Sequence, residues 1–201
     1  MKLKKGKINM KLKMADNAID SLKLVKEYFY DYTTGSKHKK DNTNLELTII
    51  FLHNSIELLL KSILINENGL LIYEDLSKKP DDGTEMRKSY NNTLSLSEIL
   101  IKKEGITNLI TTYCSIFNVD KKIQIVLTDL EKLKDTVVCL GINESDNFEQ
   151  ILITIYESIN IILNVLCEDL KKIDNYFEYD NVRDTLEPLV ESYNDIFAPI
   201  Q

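Results

Sequence analysis

Residues that break helices are scarce in this chain: 201 residues include six glycines and three prolines. So few turn formers exclude a collagen-like repeat and argue against a β-sandwich, which needs a turn about every ten residues. Tryptophan is absent, and histidine occurs only as His38 and His53. A Cys–His or Ser–His nucleophile pair would have to use one of those two imidazoles, and no glycine-rich elbow flanks any serine or cysteine. No glycine-rich loop of the kind that cradles a phosphate is present either. The three cysteines, Cys114, Cys139 and Cys167, are odd in number and widely spaced. That excludes a disulfide framework, a zinc knuckle and a redox pair, and reads as reduced core thiols in a cytoplasmic protein.

Hydrophobic residues make up 43% of the chain and charged residues 28%, which is outside the range of disordered chains, and the length suits one domain with its own core. The charge of −7 is unevenly placed. Residues 1–13 hold six lysines and no acid, whereas from Gly141 onward three bases (Lys171, Lys172, Arg183) face thirteen acids. A chain acidic over its last third repels a phosphate backbone there, so RNA is a partner that the net charge does not favour. Residues 1–14 read as a basic N-terminal tail, solvated and too interrupted by lysine to be a signal peptide. Leu45–Ile65 and Ile151–Leu166 are apolar, but the first contains Glu46, His53, Glu57 and Lys61, while the second is short and contains Glu157. No membrane segment is expected.

Apolar residues recur at helical spacing almost throughout, and no run alternates with period two. Ala18, Ile19, Leu22, Val25, Phe29 and Tyr32 predict a first helix capped at Asp16 or Asn17 and stopped at Gly35. After the linker 36–42, a second helix runs from Leu45 to Ile65; it is apolar over most of its circumference and therefore central. Residues 77–92 read as a mobile loop. Ser95 or Ser97 caps a short helix to Lys103, and further helices are expected at Ile106–Phe117, from Asp120 to Leu140, from Phe148 to Asp174, and at Tyr179–Phe197, where Pro188 introduces a kink. The expected fold is all-α: an up-and-down helical bundle of five or more helices, one domain over residues 15–201.

Helix two carries a polar seam, His53, Asn54, Glu57 and Lys61. His53 and Glu57 stand four residues apart, a spacing that can hold a metal only with ligands from elsewhere, since the second histidine of a zincin is missing. Glu57 and Lys61, also four apart with the acid first, make a favourable helix ion pair. Asp81-Asp82-Gly83 lacks the alternating oxygens of a calcium loop. No metal and no cofactor is expected. The aromatic clusters at Tyr28, Phe29, Tyr30 and Tyr32 and at Tyr176, Phe177 and Tyr179 lack surrounding arginines, which favours core or interface roles over base stacking.

The helix-two string FLHNSIELLLKSILINENGLLIYEDL resembles a segment of bacterial HEPN-superfamily proteins, with Glu57-Leu58-Leu59-Leu60-Lys61 as the matching core. The order of helix pairs around an insertion is also similar, over about residues 15–170. The resemblance implies an HEPN-like bundle that pairs along its late helices, and a place in bacterial toxin–antitoxin or phage-defence systems. Active members are metal-independent ribonucleases with an arginine, four to six intervening residues and a histidine late in a helix. Here Lys134 stands where the arginine belongs and Cys139 where the histidine belongs, with Asp135 between them. A thiol flanked by valine and leucine is a poor general base, and lysine lacks the planar fork that clamps a phosphate. The expected function is a non-catalytic helical interaction protein that works as a homodimer or with a protein partner. The alternative is a metal-independent ribonuclease with an atypical site around His53, Glu57 and Lys134.

Overall fold

The structure, a computed structural model, describes residues 3–34, 42–68, 71, 105–143, 146–173 and 179–197, with side chains for 14–33, 42–68, 71, 105–143, 146–172 and 179–191. Those residues form helices and short connections, with no strand among them. The order is α1 (Leu3–Thr34), α2 (Asn42–Glu67), α3 (Ile106–Phe117), α4 (Lys121–Leu140), α5 (Phe148–Ile161), one π-helical turn (Ile162–Leu166), α6 (Cys167–Ile173) and α7 (Tyr179–Phe197). The linker 36–41, the loop 77–92 and the Ser95–Lys103 helix lie outside the described residues.

α1 and α2 form an antiparallel pair. Ala15, Ala18, Leu22, Val25, Phe29 and Tyr32 are all buried, as are Leu45, Ile49, Leu52, Ile56, Leu59 and Ile63. Both sets advance in alternating steps of three and four, the seam along which two helices pack at a shallow angle. The register is fixed by Asn54 Nδ2, which donates to Ser21 Oγ at 2.9 Å, and by Tyr28 stacked on Phe51 at 5.8 Å. α2 also contacts α3, α4, α5, the π turn and α6, which makes it the centre of the bundle.

α1 begins at Leu3, not at the expected cap near Asp16, so the backbone of the lysine-rich head is helical. Nothing between the head and Asp16 requires a break, because lysine, leucine and methionine all favour helix and Asp16 tolerates an interior position. The other boundaries follow local chemistry. Asp120 accepts the Lys122 N–H at 2.8 Å to start α4, and Asn147 caps α5 through the Gln150 N–H. Gly141 closes α4 at φ 70°, ψ −178°, its N–H donating to Val137. That conformation is nearly restricted to glycine.

The stretch expected as one helix from Phe148 to Asp174 stays helical through Ile173 but widens into the π turn. Its apolar arc is filled from within the fold: Ile151, Ile155, Tyr156, Ile159, Ile162, Leu166 and Leu170 are buried against α2, α4 and α7. α2 and Phe148–Lys172 are long and apolar enough to cross a bilayer, yet 72% and 61% of their most apolar windows are buried inside the bundle.

Candidate functional site

The polar seam of α2 does not present a single face. Asn54 turns toward α1 and Ser21. Lys61, only 3% exposed, forms an ion pair with the half-buried Glu57, so burial of the ammonium is compensated by the expected i, i+4 carboxylate. His53 is 7% exposed, and its Nε2 is buried without a hydrogen-bond partner.

α4 packs against α2 and brings its own charges to the same place. The His53 imidazole is held down at about 4, first by burial and then by the positive charge of Lys134, with Lys61 adding in the same direction; Glu57 and Asp135 oppose this. Burial disfavours the imidazolium, and two nearby cations disfavour it further. His53 is therefore neutral at pH 7. Lys134 is itself half-buried and bound to the adjacent carboxylate of Asp135.

Five of the residues singled out in the sequence, His53, Glu57, Lys61, Lys134 and Asp135, thus share one electrostatic environment at the α2–α4 contact. Cys139 does not join them. It was expected to be a core thiol, but it is exposed, whereas Cys114 and Cys167 are buried. The inward face of α4 is set by Val126, Leu127, Leu130 and Val137, and Cys139, two residues beyond Val137, points to the far side. Its neighbours Val138 and Leu140 are 63% and 75% exposed. Burial pushes the Cys167 thiol up to about 12 and the Cys114 thiol up as well.

Among the described residues, no group of three or more His, Cys, Asp or Glu side chains is placed to hold a metal ion. His38, Asp81, Asp82, Tyr176 and Phe177 lie outside the described residues. Phe29 packs edge-on to Tyr156 at 5.4 Å as a core residue, Tyr30 is exposed, and Tyr179 lies under the Lys171 ammonium at 4.6 Å.

Two features had no local signal in the sequence. At the C-terminal end of α4, Glu46 Oε1 accepts the Ile142 N–H at 2.7 Å while Asn42 Nδ2 donates to the Ile142 carbonyl at 3.1 Å. The first turn of α2 thereby clasps the end of α4. At the opposite end, a shallow pocket is lined by Glu67, Phe117, Val119, Val165, Asp169 and Lys172, where Asp169 accepts from the Tyr113 hydroxyl at 2.7 Å and pairs with Lys172 at 3.0 Å. No family model, no curated protein and no solved structure matches the chain.

Proposed function

We propose that this chain is a non-catalytic helical interaction protein. The observation that carries the reading is the closure of α2 and α4 over His53: this imidazole beside Lys134 is neutral, 7% exposed, and unable to reach a substrate without opening the helix contact. Phosphodiester cleavage without a metal needs an accessible base with a pKa near 7 and a cation free to bind the non-bridging oxygens, each typically contributing about 10²-fold or more. Lys134 is already engaged by Asp135, and Cys139 lies apart from both. The resemblance of the Glu57–Lys61 core supports an HEPN-like relationship and, with it, a role in a bacterial toxin–antitoxin or phage-defence system, where a helical protein acts by binding.

A second reading, a ribonuclease at His53, Glu57 and Lys134, draws support from the shared electrostatic environment of those three residues, and one assay separates the two. Purified full-length protein, His53→Ala and Lys134→Ala are incubated with structured and single-stranded RNA in EDTA. The expected result is no cleavage above a no-protein control by any of the three. Robust cleavage by the wild type that either substitution abolishes would overturn the non-catalytic reading.

A further inference from the structure

Before Ala15 the packing stripe of α1 changes its chemistry. Buried Ala15, Ala18, Leu22, Val25, Phe29 and Tyr32 mark the side that meets α2. Carried back toward Leu3 in the same alternating steps of four and three, that stripe reaches Lys11, Ile8 and Lys4, with Lys7 beside them. An apolar seam does not continue through two lysines, so this stretch is not built to take up another core helix. The register explains where the change falls. Ser21 is level with Asn54 and Tyr28 with Phe51, so Glu67, the last residue of α2, comes level with residues 8–12 of α1. The backbone from Leu3 to Lys7 therefore runs past the end of α2, a projection of roughly 10 Å at the helical rise. Among the described helices α1 contacts only α2 and α7. Residues 1–13 hold six lysines and no acid while the whole chain carries −7, so the head is a cationic projection on an acidic body. A projection of that length is comparable with the screening length of about 8 Å at physiological salt, which shields an anion at the head from repulsion by the body.

We infer that the head of α1 docks this protein on an acidic lipid surface through Lys4, Lys7, Lys11 and the lysines next to them. This goes beyond the interaction reading and does not depend on it. The argument for this occupant is charge complementarity, and the composition of the head chooses among anionic partners. Residues 1–14 contain no arginine and no aromatic residue, the side chains that clamp a nucleic-acid phosphate and stack on its bases. They contain instead Leu3, Ile8, Met10 and Leu12 between the lysines. Apolar residues interleaved with lysine suit the boundary between lipid headgroups and acyl chains. The contact is peripheral and leaves the two long apolar helices buried in the bundle. Each lysine near an acidic bilayer strengthens partitioning about five-fold, so six of them give binding that is reversible and sensitive to salt.

The test is co-sedimentation of the full-length chain with vesicles of phosphatidylcholine containing about 30% phosphatidylglycerol, against vesicles of phosphatidylcholine alone. The expected result at about 0.1 M salt is binding to the acidic vesicles and none to the neutral ones, lost at about 0.5 M salt. Replacing Lys4→Gln, Lys7→Gln and Lys11→Gln together weakens it roughly 100-fold. Lys23→Gln with Lys26→Gln, two exposed lysines of the same helix outside the head, leaves it within about two-fold. Circular dichroism checks that each variant folds, and the lipid comparison and salt series on the wild type keep the test independent of the variants. Labelled duplex DNA and single-stranded RNA of about 20 nucleotides are expected to stay unbound at protein concentrations that saturate the acidic vesicles. Absence of binding to the acidic vesicles at about 0.1 M salt would overturn the inference. So would vesicle binding that the three head substitutions leave unmoved, or nucleic-acid binding at those concentrations.

Discussion

His53 couples the stability of the bundle to acid through a single residue. Its pKa is about 4 when folded, below the ordinary 6.5 of an unfolded chain, so between those values the unfolded state binds the extra proton. The stabilising contribution is complete above pH 6.5 and is lost as pH falls toward 4. Denaturant titrations should show the wild type about 2 to 3 kcal/mol less stable from this residue at pH 4.5 than at pH 7. His53→Leu should lose that part of the pH slope while changing stability at pH 7 by less than about 1 kcal/mol, since it also removes an unpartnered buried nitrogen. The thiols allow a second check at this scale. Ellman's reagent should label one cysteine, Cys139, in the native protein and three after denaturation. Two or more labelled natively would contradict the burial of Cys114 and Cys167. Cys139 could not be placed from its neighbours alone: flanking valine and leucine suggest a core, and only the phase of α4, fixed by Val126, Leu130 and Val137, shows that it faces outward.

At the scale of the elements, most of the architecture was legible because it is local and periodic. The 3–4 repeats of α1 and α2, the cap at Asp120 and the stop at Gly141 all follow from residues within a few positions of one another. The start of α1 was not, because Asp16 is a good cap residue and sequence alone does not say that the helix passes through it. The clasp on Ile142 was not legible either, since Glu46 meets it across 96 positions. Gly141 links the two kinds of information. A Cβ there would sit 3.1 Å from Glu46 Oε1 at a φ of +70°. Gly141→Ala should therefore destabilise the fold by about 1–3 kcal/mol, from backbone strain and from displacing the carboxylate that holds Ile142. Thermal denaturation measures this, and an unchanged melting temperature would argue against the clasp.

For the whole molecule, the central fact is that His53 and Lys61 are buried in the packing of α2 with Glu57 and Lys134 half-buried beside them, while the surface offers exposed apolar side chains, Val138 and Leu140, at the end of α4. In the sequence, Lys134 and Cys139 stood out only through a resemblance. The packing adds that α2 and α4 bring His53 beside Lys134 and then seal it. Histidine scarcity makes that claim measurable. With only His38 and His53 present, the Cε1–H resonances in a carbon–proton correlation spectrum reduce to two, assigned by His38→Gln. The decisive measurement is the titration of the His53 resonance in the full-length protein from pH 7.5 down to the onset of acid unfolding. A closed site predicts a midpoint near 4, or unfolding before any titration. A midpoint near 6.5 in the folded protein would contradict it, because it would mean an imidazole open to solvent and ready to serve as a base.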